Sequence, residues 1–553
     1  MTESLPATPE PAGLGRASAL LASGTIVSRI LGFIKVVVLA AAIGQVASIS
    51  ADSFAIANQL PNNIYALVAG GVLSAVLVPQ IVRAGLHEDG GERFINRIVT
   101  LGMVIFAAVT LLATLLAPAL VSFYAQPSTS DHGFTPEALA LATTFAYWCL
   151  PQIFFYALYS LLSEVLNARN IFGPFTWAPV LNNVVAIAGL VVFMALFGDA
   201  SNNSTLDNWG GGRIVLLAGT ATLGVAAQAL VLFLFWKSAG LRYRPDFRWR
   251  GVGLATTGKA AGWLFAMILV TQIAGVFQSR VASLASGQAA SNSTLANAWL
   301  LFMLPHGVIA VSIATAYFTR MSGHASRGDL VALRSDLSAS LRGIGLGMVF
   351  AAVALSVVAY PFARIFESDF AKIPAMGNVL LAFMPGLILF SMLFVIQRAF
   401  YALGDTRTPF FMQCVQSGLF IVGALLCTLL PTDQIAVGIA AVTSIAGSAQ
   451  TVVAILLIRR RIGGMDGWLV LRRHLQYLAL ALVAGTVGFV LLLILGGLSE
   501  GGFAQSGLIQ AVVSIVLIGA VMGVVYLGLL LVLRNPELAA VTDAVLARFG
   551  RKR

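Results

Sequence analysis

Residues 508–533 read Leu508-Ile-Gln-Ala-Val-Val-Ser-Ile-Val-Leu-Ile-Gly-Ala-Val-Met-Gly-Val-Val-Tyr-Leu-Gly-Leu-Leu-Leu-Val-Leu533, a run without a charged side chain. About 20 apolar residues in a helix span the hydrocarbon core of a bilayer, so this run predicts a transmembrane helix. The whole chain of 553 residues is 59% hydrophobic and 10% charged, whereas soluble proteins carry about 25% charged residues. Similar runs recur along the chain. We therefore predict an all-α polytopic membrane protein with about 14 transmembrane helices.

The basic residues predict the orientation of these helices. Most of the 33 Lys and Arg residues fall in loops and tails on one side, and the loops of the other side contain only Arg213, Arg364 and Lys372. The positive-inside rule makes the first side cytoplasmic, and an even number of spans puts both termini there. We expect a protein of the bacterial cytoplasmic membrane. Its net charge of +11 reflects topology and contact with anionic lipids, and it does not predict nucleic-acid binding.

The sequence contains an internal repeat of six spans. Ile26-Val-Ser-Arg-Ile-Leu-Gly32 aligns with Leu269-Val-Thr-Gln-Ile-Ala-Gly275, and Leu60-Pro61 aligns with Leu304-Pro305. Because six is even, both copies have the same orientation in the membrane. Parallel repeats are typical of transporters that place a substrate cavity between the halves.

The repeat divides the chain into two parallel six-helix lobes and two added C-terminal helices. The predicted units are a disordered cytoplasmic tail (1–17), an N-lobe (18–238), a basic cytoplasmic linker (239–260), a C-lobe (261–460), helices 13 and 14 (475–533) and a basic cytoplasmic tail (534–553).

Six charged side chains remain inside the predicted spans: Arg29, Lys35, Asp52, Glu164, Arg280 and Arg398. A charge at the centre of a transmembrane helix costs about 2.5–3.5 kcal/mol, so each needs a physical reason. Arg29 lies near the middle of the first span. It either pairs with Asp52 or caps free carbonyls, or it forms a cationic wall for an anionic substrate. Lys35 lies roughly 240° further around the same helix, so the two cations share a stripe only if the helix bends at Gly32.

The other intramembrane polar residues leave two interpretations open. Glu164 and Arg398 occupy matched repeat positions, where they form a cytoplasmic gate between the lobes or extend separately to the headgroups. Arg280 lies close enough to the outer end of its span to reach water. Asn62 follows the helix-breaking Pro61, and its amide serves either a substrate or the broken backbone.

Three motifs in order give a family resemblance. The segments are Ser28-Arg29-Ile-Leu-Gly32-Phe-Ile-Lys35, Ala51-Asp52-Ser-Phe-Ala55 with Leu60-Pro61-Asn62, and Phe400-Tyr-Ala-Leu-Gly-Asp405-Thr-Arg-Thr-Pro409. Together they resemble the MurJ/MviN family of lipid II flippases, within the MOP exporter superfamily. The resemblance covers nearly the whole chain.

The resemblance implies two lobes around a cationic cavity, with the two added helices lining a groove for the undecaprenyl tail. It implies that Arg29 and Lys35 bind the pyrophosphate, Lys35 standing where the family usually has Arg, and that Asp52 is functional. The chain departs from the family at an expected cavity Arg, which is Leu300 here. Either Arg280 compensates from the neighbouring helix, or Arg29 and Lys35 bind the headgroup largely alone.

These observations predict a flippase that moves lipid II from the inner to the outer leaflet by alternating access. The alternatives are another MOP-type carrier, such as an O-unit flippase or a drug/cation antiporter, and a polyprenyl-lipid transferase. We expect no enzyme activity, no cofactor and no metal site, and coupling to the membrane potential or to an ion stays open. The expected partners are lipid II, anionic membrane lipids and cell-wall synthesis proteins.

Overall fold

A computed structural model describes residues 13–69, 91–128, 133–169, 171–248 and 258–548 of the chain. Within these ranges, 13 helical segments are long and apolar enough to cross a membrane, which confirms the predicted all-α polytopic fold. The second predicted span is described only up to residue 69, so its latter part lies outside the described residues. The same holds for most of the N-terminal tail, the middle of the basic linker and the last five residues.

The first half of the chain forms eight helices of more than four residues within the described ranges: α1 (Gly13–Ile43), α2 (Ile49–Ala69), α3 (Glu92–Leu115), α4 (Ala117–Tyr124), α5 (Pro136–Cys149), α6 (Gln152–Ala168), α7 (Gly173–Phe197) and α8 (Thr220–Leu230). Helix α8 is the central part of a longer helical segment, Gly211–Phe235. Several prolines begin or separate these helices because they lack a backbone N–H, whereas Pro61 and Pro179 lie inside α2 and α7. Pro118 and Pro136 lie in first turns, and Pro151 separates α5 from α6.

The second half continues with α9 (Gly258–Ser283), α10 (Asn292–Pro305), α11 (Val311–Ser326), α12 (Leu330–Val357), α13 (Ala359–Phe366), α14 (Ile373–Ala402), α15 (Arg407–Leu426), α16 (Ile435–Arg461), α17 (Gly467–Ile494), α18 (Leu508–Val532) and α19 (Pro536–Arg548). Helices α10 and α11 belong to one span. A single π-helical turn, His306–Ala310, joins them directly after Pro305. Such turns often mark functional positions in a helix.

The break between α14 and α15 shows how one family-like motif folds. Gly404 adopts a left-handed conformation with φ +73°, which ends α14. The carboxylate of Asp405 then accepts hydrogen bonds from the backbone N–H (2.9 Å) and the hydroxyl (2.7 Å) of Thr408 in the first turn of α15. A carboxylate at a helix start satisfies free N–H groups and interacts well with the helix dipole. Two spans are therefore separated by only a few residues.

Each half has its own buried aromatic cluster. In the first half, Phe145 packs edge-on against Phe54 and Trp209, with ring centroids 5.6 Å and 5.1 Å away. In the second half, Trp299 stacks on Phe302 at 4.7 Å. Aromatic pairs in these geometries contribute about 0.5–1.5 kcal/mol beyond the area they bury. The two aromatic groups lie in different buried clusters of the protein.

The duplication also extends to buried amides. Asn182 of α7 donates a 2.9 Å hydrogen bond to Gln228 of α8, and Gln450 of α16 donates a 3.1 Å hydrogen bond to Gln413 of α15. The fifth and sixth spans of each half are thus joined by an amide pair. Buried polar groups need partners, so such a pair fixes how the two helices face each other.

Helices α17 and α18, which fall outside the repeat, pack against helices of the second half. The hydroxyl of Tyr526 donates to the carbonyl oxygen of Leu346 in α12 at 2.9 Å, and its ring stacks on Phe350 at 5.0 Å. Helix α19 is held nearby by an ion pair between Glu537 and Arg342, 2.8 Å apart. Much of the remaining surface of α17 and α18 is exposed and apolar.

Candidate functional site

Arg29 lies on the face of α1 that meets the second half. One turn further along this face, Phe33 packs edge-on against Phe366 of α13 at 5.8 Å. The guanidinium of Arg29 lies so close to Gly307 that a Cβ there would collide with it. The Arg29 charge also acts on the neighbouring His306, and the Arg29 side chain is largely exposed. A cation is therefore presented at the seam between the halves, opposite the π-helical turn.

A cavity of about 360 Å³ lies next to this seam. Four helices of the second half and one residue of α2 form its wall: Ala66, Met267, Ile268, Thr271, Gln272, Phe390, Leu393, Phe394, Gln397, Gln413 and Gln450. None of these lining residues is charged. Asn62 is exposed and lies one helical turn before Ala66, so it shares the face of α2 that borders the cavity.

Lys35 lies apart from Arg29. Its side chain lines a small cavity of about 60 Å³ inside the first half, together with polar side chains that include Asn58, Gln152 and Asn182. The two cations do not share one stripe of α1. Gly32, which lies between them, faces Asn183 of α7. The structure therefore places one predicted cation at the seam and the other inside the first half.

Asp52 is fully buried at the junction of the halves. Its carboxylate accepts hydrogen bonds from the hydroxyl of Ser286 (2.6 Å) and the backbone N–H of Ser293 (2.9 Å). Both partners lie in the second half, between α9 and α10 or at the start of α10. Asp52 thus joins the two halves and does not pair with Arg29.

More polar contacts surround Asp52 at the end of the bundle that contains the loop of residues 44–48. We call this end the distal face. Ser293 donates from its hydroxyl to the carbonyl oxygen of Gln45 at 3.0 Å, and the side chain of Gln45 contacts that of Asn297. The backbone N–H of Ala47 donates to the carbonyl oxygen of Ala289 at 3.1 Å. These bonds connect the first half to the second across the distal face.

Glu367 adds a carboxylate to the distal face that sequence reasoning did not single out. Its side chain is buried and accepts a 2.6 Å hydrogen bond from the backbone N–H of Val46. Burial raises the pKa of this carboxyl to about 7, and the bond from Val46 offsets only part of that rise. A backbone partner over 300 residues away leaves no signal in the sequence. The acid looks like any other loop residue.

Arg280 also belongs to the distal contacts. Its guanidinium donates to the carbonyl oxygens of Ser122 (3.1 Å) and Phe123 (3.2 Å) and contacts Gln126. A cation at the C-terminal end of α4 satisfies free carbonyls and favours the helix dipole. The geometry does not favour the hypothesis that Arg280 stands in for the charge missing at Leu300.

The contacts that the structure shows for Arg398 do not include Glu164. Its guanidinium lies over the rings of Phe394 (4.8 Å), Phe318 (5.7 Å) and Tyr401 (6.0 Å), all in the second half. Glu164 lies near Tyr65 in the first half. The predicted gate between them stays a prediction.

A family model described as lipid II flippase MurJ matches residues 39–501 of the chain. The chain belongs to the MurJ family of lipid II flippases. A probable lipid II flippase MurJ of Haemophilus influenzae is 29% identical over 407 residues, covering 70% of this chain and 75% of that one. A probable lipid II flippase MurJ of Rhizobium tropici is 26% identical over 478 residues, covering 84% of each.

Solved structures share the fold of this MurJ family member. A lipid II flippase MurJ in an inward closed conformation is 20% identical, with a TM-score of 0.69, covering 93% of this chain and all of that one. An inward-facing multidrug resistance MATE transporter of the MOP superfamily is 16% identical with a TM-score of 0.59, covering 81% of this chain and 98% of that one. Membership of the MurJ family makes the chain a bacterial inner-membrane transporter and not an enzyme.

Proposed function

We propose that this protein carries lipid II from the cytoplasmic to the outer leaflet by alternating access, with the pyrophosphate bound near Arg29. The observation that carries the proposal is the exposed guanidinium at the seam between two duplicated halves, beside a cavity. Arg forms paired hydrogen bonds with phosphate oxygens and keeps its charge in a poorly hydrated site. Lys35, inside the first half, contributes a second positive potential from a distance.

The basic loops favour a cytoplasmic position for both termini, and with that orientation the distal face is the outer face. Asp52, Glu367 and Arg280 then hold the outer side closed, and the protein loads its substrate from the cytoplasmic leaflet. To release the substrate outward, the two halves rotate apart at the distal face. The hydrogen bonds of Asp52 and Glu367 must break in that step.

The membrane potential supplies a driving force without a coupled ion. The pyrophosphate carries about two negative charges, and each gains about 2.3 kcal/mol per 100 mV when it moves outward across an inside-negative membrane. The undecaprenyl chain stays in the bilayer during this movement. We assign its guidance to the exposed apolar surface of α17 and α18.

Two other functions compete with this proposal. A carrier of cationic drugs, which the likeness to a MATE transporter suggests, would need acidic side chains in the cavity. The lining residues include none, and the fixed charges close to the lining are cations: Arg398 lies 4.8 Å from the ring of Phe394, and Arg29 lies at the seam. A metal-dependent transferase would need clustered carboxylates, and the described residues contain no group of three His, Cys, Asp or Glu side chains placed to hold a metal.

The decisive experiment measures lipid II accessibility at the outer face of spheroplasts after depletion of the protein. Accessibility should fall on depletion, recover with the wild type and fail to recover with Arg29→Ala. Arg327→Ala is the matched control, because it removes a cation at the far end of α11 and should restore accessibility. Unchanged accessibility after depletion would refute lipid II as the substrate.

A further inference from the structure

The cavity beside Arg29 has an unusual wall chemistry for a site that serves a charged lipid. Its polar side chains are neutral, namely Thr271, Gln272, Gln397, Gln413 and Gln450. An amide offers both a donor and an acceptor, whereas a phosphate offers acceptors alone and an ammonium group donors alone. Several amides together therefore suit a ligand with many hydroxyl or acetamido groups. They suit the pyrophosphate or a charged peptide less well.

The amide wall is held in place by its own hydrogen bonds. Gln413 donates to Gln416 at 2.8 Å and accepts from Gln450 at 3.1 Å. Gln450 is buried, which keeps its rotamer fixed. Gln397 differs, because its amide has no hydrogen-bond partner within the described residues. The wall combines a preorganised part with one amide free to bind.

An aromatic layer connects the cavity to the site of the cation. Phe390 and Phe394 line the cavity, and both rings also pack against His306, with centroids 4.8 Å and 5.2 Å from its ring. His306 is the neighbour of Gly307, against which the Arg29 guanidinium lies. The negative face of an aromatic ring favours the C–H groups of a sugar ring. Amides and rings thus form adjacent walls of one cavity, and His306 lies between the rings and the Arg29 contact.

The volume of the cavity fits this chemistry. At about 360 Å³, it lies near the lower end of the roughly 300–1,000 Å³ typical of small-molecule sites. That space accommodates a single N-acetylated sugar ring better than a complete headgroup. The remaining parts of a large substrate would extend along the seam, where Asn62 is exposed.

We propose that the amide cavity binds an uncharged sugar ring of the lipid-linked headgroup while Arg29 holds the pyrophosphate. This inference rests on the proposed function and adds a subsite to it. The subsite distinguishes glycosylated polyprenyl pyrophosphates from the bare lipid. The glycosylated substrate is thereby selected over the product lipid that remains after sugar transfer.

Two lipids test the subsite with purified protein in nanodiscs. One probe is a polyprenyl pyrophosphate, and the other is the same lipid carrying a disaccharide without peptide. The wild type should bind the glycosylated lipid more tightly. Gln397→Leu should weaken that binding by roughly fivefold and leave the bare lipid unchanged, because one or two neutral hydrogen bonds are lost. Gln413→Leu should weaken binding of the glycosylated lipid more strongly and also leave binding of the bare lipid unchanged. Gln476→Leu, on α17 outside the cavity, is the matched control.

The outcomes distinguish a failure of the proposed subsite from a failure of the proposed function. Arg29→Ala should weaken the binding of both lipids by a similar factor. If Gln397→Leu binds the glycosylated lipid as the wild type does, with an unchanged melting temperature, the subsite is refuted and the flippase proposal stands. If the wild type binds neither lipid, both proposals fail together. Because Gln397 has no partner to lose among the described residues, this variant should fold normally.

Discussion

Gln272 of α9 donates a 3.2 Å hydrogen bond to the backbone carbonyl oxygen of Asn63 in α2. The repeat aligns Gln272 with Arg29, and it aligns Asn63 with Gly307. The contact of Gln272 with Asn63 is therefore the pseudo-symmetric counterpart of the contact of Arg29 with Gly307. Each half sends a side chain from its first span to the second span of the other. One of the two side chains is charged and the other is neutral, so the duplicated site is electrostatically asymmetric.

The space above Gly307 should be essential for placing Arg29. A methyl group introduced by Gly307→Ala would collide with the guanidinium and displace it from the seam. We expect a partial loss of outward lipid II, smaller than that of Arg29→Ala, because the guanidinium is the end of a flexible side chain and moves aside while keeping its charge. Lipid II accessibility in spheroplasts measures this effect. Gly519→Ala, where a Cβ would meet open space, should act as the wild type does. Equal activity of both variants would show that transport does not depend on the guanidinium lying against Gly307.

Asp52 should control closure of the distal face. Asp52→Ala leaves the hydroxyl of Ser286 and the N–H of Ser293 without their acceptor, at a cost of about 1–3 kcal/mol to the closed state. A cysteine introduced at Ala290, which is 1% exposed, should then react faster with an impermeant thiol reagent. Asp52→Asn should show a smaller effect because one oxygen remains. Asp433→Asn, in an exposed distal loop, is the control. A labelling rate that does not depend on residue 52 would rule out a role of Asp52 in distal closure.

Glu367 should make distal closure sensitive to pH. Burial raises the pKa of its carboxyl from 4.5 to about 7 in the closed state, and exposure on opening would return it toward 4.5. The closed state therefore binds the proton more tightly. Its stabilisation is complete below pH 4.5 and is lost as the pH rises through 7. The nearby charges are Lys372, which favours the carboxylate, and Asp369, which opposes it, while Arg364 donates to the backbone carbonyl oxygen of Glu367.

Labelling of the Ala290 cysteine should consequently increase from about pH 5 to about pH 8, after correction for the reactivity of a free thiol. Glu367→Gln keeps an acceptor for Val46 but cannot ionise, so its labelling should stay low and flat across this range. Asp369→Asn changes an exposed carboxylate in the same loop and should preserve the pH profile. A Glu367→Gln variant with the wild-type profile would show that another group titrates.

Arg280 should stabilise the protein without binding substrate. Arg280→Ala removes the hydrogen bonds to the carbonyl oxygens of Ser122 and Phe123, so it should lower the melting temperature and increase distal labelling. The affinity for polyprenyl pyrophosphate should stay within about twofold of the wild type, a difference of roughly 0.4 kcal/mol. Arg280→Lys should recover part of the stability. A large loss of lipid affinity with unchanged stability would instead support the hypothesis that Arg280 replaces the charge missing at Leu300.

Much of the fold could be predicted from the sequence because the bilayer imposes a simple rule. The run of residues 508–533 predicts a span, and the structure has a helix at Leu508–Val532. Other apolar runs behave alike, since residues 173–197 and 407–426 also form helices. A long apolar run must form a helix in a bilayer, since its backbone groups find no other hydrogen-bond partners there. Length and apolarity are therefore sufficient to locate a span.

The faces of these helices could not be predicted in the same way. A transmembrane helix is apolar all around, so hydrophobic periodicity does not reveal which side meets protein and which meets lipid. The family resemblance implied that Arg29 and Lys35 bind one pyrophosphate, although helix geometry put them on one stripe only if the helix bends at Gly32. The structure places them on different sides of α1. Asp52 looked like part of the substrate site, and it joins the two halves.

The sequence by itself determined the helical membrane fold, the duplication, the family and the residues that carry charge into the bilayer. These features follow from local composition and from repeated motifs, which need no knowledge of distant contacts. Only the tertiary structure decided that Glu367 meets Val46, that Arg280 caps α4 and that neutral amides gather in one cavity. Each of these arrangements depends on a distant segment of the chain, either through its backbone groups or through the rotation of a helix about its axis. The local pattern of side chains encodes neither the distant partner nor the rotation.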